Sequence, residues 1–154
     1  MKNPILYRVE VLTPLPNLQQ VTNNPDFWRL ESPYYAKFHT TDGVWHLNLA
    51  PGWITDKRSG SDCINWVVPK DGNPEYRASV FAHDTAYSGW MSKPLADHLF
   101  IRQGMHLSGE VSQPVANLAY TAVKLFGKSY SMDDALPPPY ELNRKYESLK
   151  LKDR

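Results

Sequence analysis

Residues 34–49 read YYAKFHTTDGVWHLNL and contain the clearest secondary-structure signal in this sequence. Two runs of alternating apolar and polar side chains flank Asp42-Gly43, a dipeptide typical of two-residue hairpin turns. The predicted register pairs Thr41 with Val44, His39 with His46, and Lys37 with Asn48. The opposite side of the hairpin then faces the core with Phe38, Trp45, Leu47 and Leu49. We therefore expect an antiparallel hairpin with one buried and one solvated face.

The sequence around this hairpin predicts short elements separated by prolines. Residues 5–12 and, less extensively, 27–31 favour strands, whereas the polar stretch 17–26 predicts a loop. Residues 51–74 lack helical periodicity and predict a long, ordered, irregular connector, in which aromatic side chains such as Trp53 pack on the domain. The first half is therefore expected to form an N-terminal antiparallel sheet.

The second half predicts three packed α-helices. Asn73-Pro74 is typical of a helix start, and the first helix is expected over 75–88, ending at Gly89. A second helix is expected from about residue 93 to 108. The third is expected from about residue 113 to Gly127, with apolar side chains at helical spacing.

The C-terminal segment contains the run Pro137-Pro138-Pro139, which favours an extended conformation. The residues beyond it are mostly polar. We therefore expect residues 1–131 to form a single α+β domain and residues 132–154 to form a Pro-rich extended arm, of which residues 136–154 can be deleted without unfolding the domain.

Composition excludes several classes of protein. A chain of 154 residues with 42% hydrophobic side chains has enough material for one compact domain. The formal net charge of +1 argues against a nucleic-acid partner bound by bulk charge. A single cysteine, Cys63, excludes an internal disulfide and a multi-cysteine zinc site. No apolar run approaches the roughly 18 residues that span a bilayer, and no signal peptide is expected.

One group of side chains could carry chemistry. His83 and Tyr87 are four residues apart on the first predicted helix and share a face, while Asp84 points in a neighbouring direction. Asp97 lies on the second helix among apolar positions, where a carboxylate needs a partner. Because the loop between the helices is short, we expect them to be antiparallel, with His83 contacting Asp97. Such a pair is the base half of many hydrolytic sites, or a structural hydrogen bond between helices.

The order of motifs over residues 44–130 resembles a family of phage and prophage proteins known as domain of unknown function 1353. The matching residues are Gly52, Trp53, Thr55 and Asp56; His83, Asp84 and Tyr87; Ala96, Asp97 and Phe100; and Tyr120, Val123, Phe126 and Gly127. This resemblance implies a phage-encoded protein that acts in the host cytoplasm or in the virion.

The His-Asp-x-x-Tyr motif is also similar to that of secreted and parvoviral phospholipases, which pair it with an aspartate on an antiparallel helix. That resemblance implies catalytic roles for His83 as the base, Asp97 as its orienting group and Tyr87 beside them. It further implies calcium as the cofactor, with Asp84 and Asp56 as its ligands, and a lipid or ester as the substrate.

Two functions therefore stay open at the level of sequence. The first is a phage-encoded hydrolase that cleaves esters or lipids through a His83–Asp97 dyad. The second is a virion, tail or assembly protein in which the same pair is purely structural and the partners are other virion proteins. Neither function requires a nucleic acid or a membrane-spanning segment.

Overall fold

The computed structural model describes residues 3–56 and 72–153, which form antiparallel sheets of N-terminal strands, three helices and a C-terminal strand that joins the larger sheet. The predicted α+β class is therefore confirmed. The strands are β1 (Leu6–Val11), β2 (Leu18–Val21), β3 (Asn24–Leu30), β4 (Tyr34–Thr40), β5 (Gly43–Leu49), β6 (Ile54–Thr55) and β7 (Glu147–Lys152). The helices are α1 (Pro74–Thr85), a second helix that begins as α2 (Lys93–Ala96) and ends as α3 (Met105–Leu107), and α4 (Gln113–Phe126).

The strands form two sheets. The larger has the order β1-β4-β5-β7 and the smaller the order β2-β3-β6, with antiparallel neighbours throughout. The prediction of a loop over residues 17–26 is wrong, because β2 and the first three residues of β3 occupy this stretch. These strands are largely exposed, so they carry polar side chains that hide the strand pattern.

The predicted connector is also partly ordered into a strand, since β6 pairs with β3. Trp53 packs in the core as expected, with 1% of its surface exposed. Residues 57–71 of the connector, including Cys63, lie outside the described residues.

The predicted hairpin forms, but its turn is displaced. Thr41 and Asp42 make the turn, Thr40 pairs with Gly43, and the register joins His39 to Val44 and Lys37 to His46. Gly43 has a φ of 142°, and a Cβ there would lie 2.6 Å from the Lys152 carbonyl oxygen on β7. Because the shift is by two residues, every side chain keeps its predicted face, and Phe38, Trp45, Leu47 and Leu49 are buried.

The expected C-terminal arm needs correction over its last part. Residues 147–152 are extended, but they form β7, which pairs with β5 along its whole length. Leu149 joins the core with 1% of its surface exposed, whereas Leu151 is 45% exposed. The apolar–polar alternation of β7 covers only six residues, and two of its polar positions are lysines. The sequence of this segment was therefore interpreted as a solvated tail.

The three helices start and end close to their predicted bounds. The Asn73 side chain accepts a hydrogen bond from the Tyr76 amide (2.9 Å) and caps α1. A wide turn over Ala86–Trp90 then ends the first helix, with Gly89 at a φ of 107°. The middle of the second helix, Asp97–Gly104, is π-helical.

The helices cover one face of the larger sheet through aromatic side chains. Phe38 of β4 meets Phe100 edge to face at 4.9 Å, and Tyr34 meets Phe81 of α1 at 5.2 Å. A second apolar cluster, which includes Tyr76, joins the helices to one another. Over residues 3–56 and 72–153, no helix has the length and apolar character needed to cross a membrane.

Candidate functional site

The predicted contact between the first two helices is confirmed. His83 lies in the last turn of α1, and Asp97 is the first residue of the π-helical segment. The His83 Nε2 atom lies 2.8 Å from Asp97 Oδ1. Widened helical turns of this kind are frequent at functional sites, and this one begins at the paired carboxylate.

Asp97 accepts hydrogen bonds from three side chains, which with it we call the Asp97 cluster: His83, Tyr87, Lys93 and Asp97. The Tyr87 hydroxyl donates to Oδ1, and Lys93 Nζ donates to Oδ2 at 2.8 Å. Lys93 also donates to the Val123 carbonyl at 2.8 Å, near the C-terminal end of α4. The cluster therefore ties all three helices together.

The carboxylate of Asp97 is held in its charged form. Burial acts to raise its pKa, but the hydrogen bonds from His83, Lys93 and Tyr87 outweigh burial and leave the pKa below its ordinary value. Burial and the bond to Asp97 raise the pKa of Tyr87 above its ordinary value, so this tyrosine stays a neutral donor.

The imidazole of His83 is sealed from solvent, with 0% of its surface exposed. Its ring packs against the Tyr87 ring, with 4.2 Å between the centroids. Burial lowers the pKa of His83, although the hydrogen bond to Asp97 opposes this effect. The ring is therefore neutral, and the bond to the carboxylate assigns its proton to Nε2.

The second ring nitrogen of His83 is left without a hydrogen bond. In the part of the chain that the structure describes, Nδ1 is buried and has no partner. Five other buried side-chain atoms of the described residues share this property, and a catalytic role is one of the recognised explanations for such an atom. With the proton on Nε2, Nδ1 carries a free lone pair.

A cleft of about 130 Å³ lies beside the Asp97 cluster. Tyr87 connects the two, because it lines the cleft and also contacts the His83 ring. The walls are formed by Asp56, Asp84, Tyr87, Ser88, Lys128, Tyr130, Leu136, Pro137 and Tyr140. Of the sequence-predicted site residues, Asp56, Asp84 and Tyr87 thus face the cleft, whereas His83 and Asp97 lie behind its wall.

The two carboxyl groups of the cleft influence each other. Burial raises the pKa of Asp84 well above its ordinary value, and the negative charge of Asp56 raises it further. The Thr55 hydroxyl donates to Asp84 Oδ2 at 3.2 Å and opposes this shift in part. Asp84 therefore favours its neutral form more strongly than a solvated aspartate does.

The calcium-binding roles predicted for Asp84 and Asp56 are not supported by a larger cluster of acidic side chains among the described residues. Calcium is held by six to eight oxygen ligands, several of them usually carboxylates. Within residues 3–56 and 72–153, no group of three or more His, Cys, Asp or Glu side chains is placed to hold a metal ion. Asp84 and Asp56 supply two carboxyl groups at the cleft wall, and the chemistry proposed below uses only side chains of this chain.

Several residues of the site were not predicted from the sequence. Lys93 is four residues before Asp97 on one helix, so this ion pair had a local signal. Glu147 accepts a hydrogen bond from Trp53 Nε1 at 2.7 Å, and Tyr140 closes one side of the cleft. These last contacts join distant parts of the chain and have no local signal.

Comparison with known proteins gives no match to this chain, whether among family models, curated proteins or solved structures. The resemblances to the phage family and to the phospholipases thus stay predictions, as do the catalytic and metal-binding roles drawn from them.

Proposed function

We propose that this protein is a hydrolase that cleaves an ester or a lipid ester, with His83 as the base and Asp97 as its positioning residue. The observation that carries the proposal is the orphaned Nδ1 atom of His83. Its partner nitrogen is committed to Asp97, so the lone pair on Nδ1 is held in a defined orientation. The lowered pKa of the ring keeps this lone pair available at neutral pH.

The chemical step follows from this arrangement. Nδ1 accepts a proton from a water molecule while the water oxygen attacks the ester carbonyl carbon and forms a tetrahedral intermediate. The intermediate collapses as the carbon–oxygen bond to the leaving group breaks. The proton on Nδ1 passes to the leaving alkoxide, which yields a carboxylic acid and an alcohol. The Asp97 carboxylate stabilises the imidazolium that exists between these steps.

Substrate has to approach from the cleft. The Tyr87 ring lines the cleft and packs against the His83 ring, so the proposal brings substrate to the imidazole past this ring. Asp84 and Lys128 at the cleft wall offer a hydrogen-bonding side chain and a cation to a bound ester. The proposal therefore requires that the His83 ring, which is fully buried in the structure, becomes accessible to substrate in solution.

The experiment compares the wild-type protein with His83→Gln on short- and long-chain p-nitrophenyl esters and on phospholipid vesicles, each with calcium or with EDTA. Glutamine can still donate to Asp97 but cannot act as a base. We expect hydrolysis to fall by about a hundredfold or more. His106→Gln, at an exposed histidine, is the matched control and keeps activity. Equal hydrolysis by both variants, or none by the wild-type protein, would contradict the proposal.

The second candidate is a virion or assembly protein in which the His83–Asp97 pair is purely structural, and the complete burial of His83 favours that structural role of the pair. The His83 ring is fully buried, and the Asp97 carboxylate accepts hydrogen bonds from three donors. Such a satisfied, buried polar network is typical of a structural connection between helices. In that case the wild-type protein shows no hydrolysis, and mass spectrometry of purified phage virions detects the protein. Hydrolysis that depends on His83 would exclude this reading.

A further inference from the structure

A second cavity lies at the opposite end of α1 from the cleft. It has a volume of about 310 Å³ and is formed where the segment after β1, the start of β4 and the start of α1 meet. We call it the α1 cavity, and its polar walls include Tyr34, Glu75 and Arg77. Asp84 of the cleft follows Glu75 by nine residues, or about 14 Å along the helix axis. The α1 cavity is therefore separate from the site proposed for hydrolysis.

One wall of the α1 cavity carries a buried hydroxyl group. Tyr34 is 1% exposed, and in the described part of the chain its hydroxyl makes no hydrogen bond. Among the same residues, the buried hydroxyls of Ser79 and Thr85 make none either, but Ser79 and Thr85 line neither the α1 cavity nor the cleft. A buried tyrosine hydroxyl normally has a partner. For Tyr34, a molecule bound in the adjoining cavity can supply this partner.

Two charged side chains of the α1 cavity lie near this hydroxyl. Burial raises the pKa of Tyr34, the positive charge of Arg77 acts to lower it, and the negative charge of Glu75 acts to raise it. The hydroxyl is therefore a neutral donor within electrostatic reach of one cation and one anion. Arg77 and Tyr34 together suit a carboxylate, whereas Glu75 suits an ammonium group.

The Arg77 guanidinium is positioned at the start of α1. Its Nη2 atom lies 3.5 Å from the Gly72 carbonyl oxygen, just before the helix begins. A guanidinium has five N–H donors in a planar fork, which matches the two oxygens of a carboxylate. The contact with Gly72 is therefore compatible with a carboxylate bound at the same side chain.

The rest of the cavity wall is mainly apolar. Val11, Pro14, Leu15 and Pro16 line it beside the polar groups, and Leu15 is 67% exposed, which places it at the open side. Ligand pockets combine an apolar lining with a few polar groups that fix the orientation of the ligand, and their volumes begin at about 300 Å³. A cavity of about 310 Å³ therefore fits a small molecule with an apolar part.

We infer that the α1 cavity binds a free amino acid with an apolar side chain. Arg77 and the Tyr34 hydroxyl hold its carboxylate, Glu75 holds its ammonium group, and Leu15 with the flanking prolines contacts its side chain. A zwitterion suits the described part of the wall, which carries one cation and one anion. A fatty acid would leave Glu75 without a cation, and a simple amine would leave Arg77 without an anion. This binding goes beyond the proposed hydrolase activity and does not depend on it.

The test is isothermal titration calorimetry of the full chain with L-leucine and L-phenylalanine. N-acetyl-L-leucine lacks the ammonium group and L-leucinamide lacks the carboxylate, so they probe the two charges separately. We expect at least one of the two amino acids to bind, and both leucine derivatives to bind about tenfold or more weakly than L-leucine. Absence of binding by both amino acids would overturn the inference. Equally tight binding of N-acetyl-L-leucine and L-leucine would also overturn it, because the ligand would then not be a zwitterion.

The variant Tyr34→Phe tests the hydroxyl, since phenylalanine keeps the ring that packs on Phe81. We expect its affinity for the amino acid to fall about tenfold or more, because a hydrogen bond to a charged carboxylate is lost. Tyr35→Phe is the matched control, since Tyr35 is the next residue of β4, is 42% exposed and does not line the cavity. Unchanged affinity in Tyr34→Phe would overturn the inference.

Thermal unfolding without ligand gives a second measurement on the same variant. If the Tyr34 hydroxyl has no partner in the fold, Tyr34→Phe unfolds at the same temperature as the wild-type protein or at a higher one. A lower unfolding temperature would show that the hydroxyl is bonded within the protein and would overturn the inference. Because neither measurement involves an ester, their outcome is separate from that of the proposed hydrolysis.

Discussion

The side chain of Asp97 is a single buried carboxylate on which three donors from two helices converge. Both of its oxygens are used, Oδ1 by His83 and Tyr87 and Oδ2 by Lys93. Such a group is stable only while its charge is matched by hydrogen bonds, because a buried carboxylate without them is costly. The position therefore links helix packing to the orientation of the His83 ring.

At this position we predict that Asp97→Asn destabilises the fold by about 1–3 kcal/mol, because an amide cannot satisfy three donors at once. Urea unfolding followed by tryptophan fluorescence measures the change. Asn117→Ala, at an exposed site on α4, is the control and should change stability little. A loss of less than about 0.5 kcal/mol in Asp97→Asn would show that the cluster contributes little to stability.

In contrast to Asp97, Asp84 is favoured by the folded protein in its uncharged form. The pKa of its carboxyl in the folded protein is above the ordinary value of 3.8, chiefly because of burial. The folded state therefore prefers the protonated form, and the stability that this preference contributes is present below pH 3.8 and lost as the pH rises. At neutral pH, the charged form of Asp84 works against folding.

Accordingly, we predict that Asp84→Asn is more stable than the wild-type protein at pH 7 and that the difference shrinks as the pH falls toward 3.8. Asparagine keeps an acceptor for the Thr55 hydroxyl and removes the repulsion with Asp56. Thermal unfolding at several pH values measures the effect. Asp134→Asn, at an exposed aspartate, controls for the general loss of a negative charge. A variant less stable than the wild-type protein at pH 7 would show that the Asp84 charge is well compensated.

At the scale of elements, the packing of the second helix on α1 depends on a glycine. Gly104 is the last residue of the π-helical segment, and its φ and ψ angles are ordinary helical ones that any residue adopts. What glycine contributes here is the absence of a side chain. A Cβ at this position would lie 2.9 Å from the Cβ of Ser79 on α1. The Ser79 hydroxyl is itself buried and has no partner in the described part of the chain.

We therefore predict that Gly104→Ala destabilises the protein by about 1–3 kcal/mol, because it forces the two helices apart. Ser79→Ala alone should be neutral or slightly stabilising, since it removes an unsatisfied hydroxyl. In the double variant, part of the loss should be recovered. Chemical denaturation of the three variants gives the coupling energy, and strictly additive effects would mean that the two residues do not share the contact.

At the scale of the whole molecule, the C-terminal strand completes the larger sheet. Strand β7 pairs with β5, and Glu147 bonds to Trp53 while Leu149 enters the core. The last part of the segment that was expected to be a removable arm is thus part of the folded unit, and deleting it would turn β5 into an edge strand paired with β4. The chain end and the first half of the sequence therefore depend on each other for stability.

The contribution of β7 to the core can be tested at two leucines of this strand. Leu149→Ala should cost about 2–4 kcal/mol, because it leaves a cavity in the main core. Leu151→Ala, two residues further along and exposed, should cost far less. Equilibrium unfolding of the two variants makes the comparison. Equal, small losses would mean that β7 contributes little to the core.

Much of the candidate site was predictable because its spacing is local. His83, Asp84 and Tyr87 lie within five residues on one helix, and the short connection to the second helix brings Asp97 near. The cleft was not predictable in the same way, since Tyr140 and Lys128 reach it from segments far from Asp56. Complete burial of His83 is also a property of the packed molecule, because it depends on what covers the ring.

From the sequence alone, the α+β class, the three helices and the inward faces of the hairpin followed, because side-chain periodicity and end caps act over a few residues. Tertiary structure alone settled the hairpin register, the strands β2, β6 and β7, and the walls of the cleft. In the observed register, Gly43 lies against the carbonyl of Lys152, where a side chain would not fit. Strand β7 forms only because it pairs with β5, which lies about one hundred residues earlier in the sequence. Local patterns cannot encode such contacts, because the free energy that selects them arises only when distant segments pack together.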